Sequence, residues 1–376
     1  MSKRNLPYGT RDEFGPLAER KAKLTQLVTQ RFMQQGFNPI KTPVLEYRAV
    51  FGAMAPTPEN AYQFLEDTGE TLVLRPDLTL PIARVMSTTG ITPPTKWCYS
   101  GDVFRIKKRH SGGYNQITQA GVEIIGYKSL KAEWECLSLA GDICQTLALD
   151  DVTLELSDAS FVDTLLAELP AANRAGIKQA LYAKDLTAYQ AKIAQLAPSA
   201  LTAFLHKWPW VFGPAKTVLA ELPDIPALAT IVADLTQTVA FLQANCPHLN
   251  LTIDLSSPSP QPYYTGLVFH AYRRESSDYL FSGGRYDRLL SSFQQTLQPA
   301  VGFSFDLDAL AASVAPAPTT TPVLIYFEAS QWQEAQALVA KTPNASLCLQ
   351  DTRAQAEHLA KTLGAKLIDL SQEGQA

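Results

Sequence analysis

Cysteine and histidine are scarce in this chain, and neither is spaced for metal. The five cysteines, Cys98, Cys136, Cys144, Cys246 and Cys348, are scattered, odd in number and never arranged as CxxC. Thiols in that pattern argue against a disulfide or zinc framework and fit a reducing cytoplasm. The five histidines form no HxH or HxxxH pair, so no metal site is expected. No apolar run approaches the roughly 20 residues of a membrane span. The N-terminal "MSKRNLPYGTRDEFG" has no apolar stretch after its charges, so no secretion signal is expected either. A formal net charge of -4 supplies no general attraction to nucleic acid or anionic membrane. No internal repeat stands out. The expectation is a cytoplasmic protein without metal, cofactor, membrane or nucleic-acid partner.

What is present is length and periodicity. The chain has 376 residues, 46% of them hydrophobic, enough for at least two domains with cores. "GPLAERKAKLTQLVTQRFMQQGF" is an amphipathic helix, with Leu17, Leu24, Leu27, Val28 and Phe32 on one stripe and Gly36 as its stop. "NPIKTPVLEY" reads as extended, its Pro43 suited to an edge, a bend or a subunit boundary. "TLVLRPDLTLPIARVM" reads as a strand turning into a helix at Pro76. "TKWCYSGDVFRI" and "NQITQAGVEIIGY" read as a long hairpin, followed by a helix and the strand "DVTLELS". Residues 161–248 read as an all-helical insertion. Strands resume with "LNLTIDLSS", "YYTGLVFHAYR" and "SDYLFSGG", then helix "RYDRLLSSF", strand "AVGFSFD" and helix "LDALAAS". "APAPTTTP", Ala315 to Pro322, is a linker by composition. A βαβαβ module of about 55 residues follows, near the lower limit for independent folding. The fold class is therefore α+β: residues 1–160 and 249–314 form an antiparallel sheet with flanking helices, 161–248 are inserted, and 323–376 are a small α/β module.

Alternation on a strand puts Gln119, Gly121 and Glu123 on one face. Under a covering helix they would line a hollow suited to an ammonium or an imidazole N–H; equally, they could form a solvent-facing polar row with Gly121 as a bulge. Asp77 and Thr79 sit where a helix begins, so an N-cap alone would explain them, while a second carboxylate beside Glu123 is the functional alternative. Tyr263 and Tyr264 are expected on opposite faces of their strand. Arg105, in an otherwise apolar stretch, requires an anion: a ligand carboxylate or phosphate, or Asp102 or Glu123. Lys107, Lys108 and Arg109 lead into Ser111-Gly112-Gly113, a loop that fits an anion contact and is ordinarily just a solvated hairpin tip. "SGGRYD" reads as a glycine turn into a helix.

In this order the pieces resemble class II aminoacyl-tRNA synthetases, and among them the histidyl-tRNA synthetases, over roughly residues 6–312. "NPIKTPVLEY" is similar to the dimer-forming motif 1, "FRIKKRHSGGYNQITQAGVEIIG" to motif 2, and "AVGFSFDLDAL" to motif 3. "LRPDLT" resembles that family's Arg-Pro-Glu-Gly-Thr, "YYTGLVF" its tyrosine-bearing signature, and "SGGRYD" its Gly-Gly-Arg-Tyr-Asp. The resemblance implies that Asp77, Thr79 and Gln119 meet a histidine ammonium. It implies that Glu123 and Tyr264 meet the imidazole, with Tyr263 beside them, and that Arg105 meets the carboxylate.

The departures shape the functional expectation. Where the family carries arginines, this chain has Ala309 in motif 3, Ser259 before the tyrosines and Asn115 in the motif 2 loop, and Lys107 stands where motif 2 has a glutamate. Asp306 and Asp308 are expected near the anionic end of a nucleotide. Losing one donor to a developing oxyanion typically costs about two to three orders of magnitude in rate, so no adenylation is expected and no catalytic residue is assigned. The tail from Thr321 on holds four basic residues against six acidic ones, which disfavours RNA. A synthetase-like chain so altered resembles the regulatory subunits of ATP phosphoribosyltransferase. That resemblance implies a short catalytic-subunit partner, self-association as a dimer within a hetero-octamer, and histidine as effector in the first step of histidine biosynthesis. The alternatives are a divergent histidyl-tRNA synthetase, or a synthetase-like accessory or sensor protein of another complex.

Overall fold

In the computed structural model, residues 4–52, 61–107, 113–276, 278–294, 296–315 and 321–372 are described. The chain divides into two compact units, Met1–Val314 and Ala315–Ala376. The linker reading, Ala315 to Pro322, falls largely on residues 316–320, outside the described residues.

The first unit begins with helix α1 (Gly15–Gln34) and strands β1 (Asn38–Pro39), β2 (Leu45–Tyr47), β3 (Gln63–Leu65) and β4 (Thr71–Leu74). Helix α2 (Thr79–Thr88), strands β5 (Thr95–Phe104) and β6 (Gln116–Ile125), helix α3 (Lys131–Thr146) and strand β7 (Val152–Asp158) follow. Next come helices α4 (Phe161–Ala167), α5 (Ala171–Tyr182), α6 (Leu186–Ile193) and α7 (Ala200–Lys207), strand β8 (Phe212–Pro214), and helices α8 (Ala215–Glu221) and α9 (Ala229–Asn245). Strands β9 (Asn250–Asp254), β10 (Leu267–Arg273), β11 (Phe281–Arg285) and β12 (Ala300–Asp306) lead to helix α10 (Leu307–Ser313).

Nine strands make one sheet in the order β1-β5-β6-β12-β11-β10-β7-β9-β8, antiparallel except for the β1–β5 and β7–β9 pairs. β2, β4 and β3 form a separate small antiparallel sheet. Alternation along β6 divides the large sheet's two faces. Ala120, Val122 and Ile124 join the main core with α1 residues Leu24, Val28 and Phe32 and α3 residues such as Leu137 and Ile143. Ile117 and Ile125 join a second core on the opposite face, with Leu80, Ile82 and Met86 of α2. Burial on both faces accounts for the density of apolar residues in these strands.

The segment 161–248 differs from expectation in one respect. It is not all-helical, because β8 pairs antiparallel with β9 and adds an edge strand to the large sheet. Gly213, at φ +120°, sits between Phe212 and Pro214, a backbone conformation that only glycine adopts easily. The inserted helices share the main core with the sheet through Phe161, Tyr189 and Trp208. The expectation of no span-length apolar run also needs correcting. Pro226–Asn245 has 20 residues and a mean hydropathy of 1.3. Asp234, Gln237 and Gln243 interrupt the run, so continuity hides what the average reveals. Leu235, Thr238, Val239 and Leu242 are its buried side.

The second unit is a parallel three-stranded sheet, β14-β13-β15, of β13 (Val323–Tyr326), β14 (Ala345–Leu347) and β15 (Lys366–Asp369). Two helices accompany it, α11 (Trp332–Lys341) and α12 (Arg353–Leu363). A capping box at Thr352 starts α12, and left-handed Gly364 ends it.

Candidate functional site

The large sheet, α2 and the segment before β10 line a cavity of about 50 Å³ on the α2 face. All seven residues singled out as a candidate binding set line it: Asp77, Thr79, Arg105, Gln119, Glu123, Tyr263 and Tyr264. The solvent-facing reading of the Gln119-Gly121-Glu123 row is excluded, since Glu123 is 1% exposed.

Among the described residues, Glu123 is held by hydroxyl groups alone. Thr79 Oγ1 donates to its Oε1 at 2.7 Å and the Tyr99 hydroxyl at 3.3 Å. The Tyr286 hydroxyl donates to Oε2 in a short hydrogen bond. The carboxylate fits because residues near it lack side chains. Gly302 is its register partner on β12, and a Cβ there would overlap Glu123 Oε2 and lie 2.5 Å from the Val122 carbonyl oxygen. Gly121 likewise leaves room for Tyr99, whose hydroxyl would be 2.6 Å from an added Cβ. Burial pushes the Glu123 carboxyl up to about 8, against the opposing pull of the Tyr286 and Thr79 hydrogen bonds.

Asp77 both caps and lines. Its Oδ1 accepts the Leu80 backbone N–H at 2.9 Å, so the helix-start reading holds, and its Oδ2 accepts from the Tyr263 hydroxyl at 3.4 Å inside the cavity. Burial raises its pKa, while the Leu80 hydrogen bond and the Arg105 charge pull the other way. Arg105 forms no ion pair with Asp102 or Glu123; its Nε donates to the Pro76 carbonyl at 2.7 Å. The guanidinium therefore stands at the cavity with terminal nitrogens available to an anion.

Tyr263 and Tyr264 do not point to opposite faces of a strand. β10 begins only at Leu267, and both rings line the cavity, 5.2 Å apart in a T-shaped pair. "SGGRYD" is not a turn either: Phe281–Arg285 is strand β11, and the helix expected after it is a single 3-10 turn, Leu289–Ser292. The two glycines there serve close strand packing, since a Cβ on Gly284 would lie 2.9 Å from the Leu267 carbonyl oxygen. Tyr99, Tyr286, Ser282, Ser304 and Gln261 also line the cavity and were missed. Tyr99 was within reach, because it sits on the hairpin strand opposite Gly121.

The family model described as histidyl-tRNA synthetase matches residues 9–310. A relative from Lacticaseibacillus paracasei, named ATP phosphoribosyltransferase regulatory subunit, is 55% identical over 99% of this chain and 98% of its own. One of the same name from Lactiplantibacillus plantarum is 43% identical over 99% of this chain and 98% of its own. The chain belongs to the ATP phosphoribosyltransferase regulatory subunit family. A crystal structure described as an ATP phosphoribosyltransferase regulatory subunit/histidyl-tRNA synthetase from Bacillus halodurans aligns with a TM-score of 0.78 and 25% identity, covering 99% of this chain and 94% of that one. The fold is that of class II synthetases, as the motifs implied.

In this regulatory-subunit chain, residues standing where arginines were expected have other tasks. Asn115 is buried at the base of the motif 2 loop. Its Oδ1 accepts the Lys107 N–H at 2.9 Å, and its Nδ2 donates to the Tyr62 hydroxyl at 2.8 Å. Ser259 Oγ donates to the Gln261 carbonyl at 3.0 Å. Ala309 is buried in the first turn of α10. Asp306 accepts the Asp308 and Ala309 backbone N–H groups as the cap of that helix. The expectation that Asp308 faces a nucleotide is corrected: it pairs with Arg11 and Lys21, each at 2.6 Å, and accepts the Thr118 N–H. Lys21 belongs to α1, which packs with α10 on the main-core face, so Asp308 sits on the side away from the cavity. Lys107 is described, whereas Lys108 and Arg109 lie outside the described residues, and the anion-contact reading with them.

Proposed function

We propose that this chain is the non-catalytic partner of a short-form ATP phosphoribosyltransferase catalytic subunit, required for that subunit's activity at the first step of histidine biosynthesis. Its α2-face cavity is the histidine site of feedback control. The observation carrying the second statement is the convergence in one small cavity of two buried carboxylates, one guanidinium and four aromatic hydroxyls. Asp77, Thr79 and Gln119 take the ammonium, Arg105 the carboxylate, and Glu123 with Tyr264 the imidazole. The full-length relatives bearing the regulatory-subunit name support the first statement. In the assembly, four chains of each kind, an effector acts by binding one arrangement more tightly than another.

The test is reconstitution. Purified chain mixed with a short catalytic subunit is expected to co-migrate with it and raise its phosphoribosyl transfer at least tenfold, with histidine reversing the gain. Arg105→Ala is expected to weaken histidine binding by about 1.5–3 kcal/mol, the range for a charge-assisted hydrogen bond, while sparing assembly. No co-migration and no activation would remove the proposal. One observation favours a second reading, a divergent histidyl-tRNA synthetase: the family model spanning residues 9–310 carries that description. Histidine-dependent ATP–pyrophosphate exchange by the isolated chain would establish it instead.

A further inference from the structure

Glu123 is enclosed, 1% exposed, and the three side chains bonded to it, Thr79, Tyr99 and Tyr286, are neutral hydroxyls. The cavity's one guanidinium, Arg105, is bound to the Pro76 carbonyl and acts on Asp77. An isolated carboxylate in such a site is strongly disfavoured for want of solvation, a cost that a proton removes. The tyrosines and the cysteine facing it do not compete for that proton near neutrality. Tyr99, Tyr263, Tyr264 and Tyr286 are all held above their ordinary value by burial, as is Cys136 of α3 from the opposite face of the sheet. Asp77, the second carboxylate, is itself raised by burial, but the Leu80 N–H and the Arg105 charge draw it back, whereas Glu123 is raised further by the Asp77 charge.

We propose that Glu123 carries a proton in the empty cavity at neutral pH and shares that single proton with the imidazole of bound histidine, so that the cavity selects a ligand with an uncharged ring. The inference rests on the histidine reading of the cavity. The proton count balances without solvent. The neutral ring arrives with one N–H and one bare nitrogen. The carboxylic O–H donates to the bare nitrogen or passes its proton across, and the ring N–H turns to the Tyr264 hydroxyl. Acid–imidazole and carboxylate–imidazolium are the same complex by composition.

Binding then exchanges no proton in a middle window and one outside it. Above about 8 the empty cavity has lost its proton and binding must take one up. Below roughly 6.5 the free ring has gained one and binding must release it. Affinity falls by up to about tenfold per pH unit on each side.

Calorimetry of histidine with the full chain, from about pH 5.5 to 9.5 and in buffers of different ionisation heat, reads both limbs. Infrared difference spectra between the wild type and Glu123→Gln read the acid directly, as a neutral carboxyl band present at pH 7 and lost on the alkaline side. The expected result is a plateau with two falling limbs, and a Glu123→Gln variant that still binds at pH 7 but lacks the upper limb. Tyr286→Phe, which removes a bond favouring the charged carboxylate, shifts that limb to higher pH. A flat profile, or an upper limb unchanged in Glu123→Gln and so due to the ligand's ammonium, overturns the proposal alone. Absence of binding heat at every pH overturns the histidine reading and the proposal with it.

Discussion

Glu133→Ala is expected to destabilise the chain by about 3–5 kcal/mol, a large share of a typical domain's stability. Glu133 is 2% exposed and Arg285 9%. The carboxylate takes Arg285 Nε and Nη2 in a bidentate pair, the second contact at 2.6 Å, joining α3 to β11. Truncation removes the carboxylate but leaves the guanidinium buried, with only Asp287 at 3.0 Å and the Tyr127 carbonyl at 3.3 Å. The penalty comes from that stranded charge more than from the lost pair, so Glu133→Gln, which keeps an acceptor in place, should cost less than Glu133→Ala. Urea unfolding midpoints for the two variants decide the matter. Equal, sub-kilocalorie losses would mean that water enters and the pair is not buried in the sense described.

The second large effect is at Gly302. An alanine methyl there would overlap Glu123 Oε2 and crowd the Val122 carbonyl oxygen, and neither can retreat. Val122 is a central strand residue paired across β12, and Glu123 is fixed by three hydroxyls. Gly302→Ala is therefore expected to lose about 1–3 kcal/mol of stability through overpacking. Under the proposed histidine reading, affinity should fall more than tenfold, because the displaced carboxylate leaves the position proposed for the ring. Thermal unfolding and calorimetry on one preparation separate the two effects. Wild-type affinity in a folded variant would place the imidazole elsewhere.

Periodicity was enough to find the hairpin of β5 and β6 and the common face of Gln119, Gly121 and Glu123, because a two-residue repeat fixes sidedness whatever the surroundings. It did not decide what covers that face. Coverage comes from α2 and from the segment carrying Tyr263 and Tyr264, contacts distant in sequence. The same limit hid Tyr286 and Gly302, whose importance depends on which residue of a neighbouring strand they oppose. "SGGRYD" misled because paired glycines usually mark turns; here they let strands approach one another and the Tyr264 ring come close. The family resemblance supplied the seven cavity residues correctly as neighbours. It misplaced Asp308, because a motif aligned by sequence does not say which side of the sheet a helix's first turn will face.

The alternation along β6 has a consequence for how such a chain can change over time. Residues answering to the ligand and residues answering to the core occupy opposite sides of one ribbon, each buried against different neighbours. Substitutions that alter or abolish chemistry on one side need not propagate through the other. A fold can thus shed an old trade while its architecture stands, and a scan of substitutions from 119 to 124 should register as two interleaved phenotypes, recognition lost at one residue and folding lost at the next.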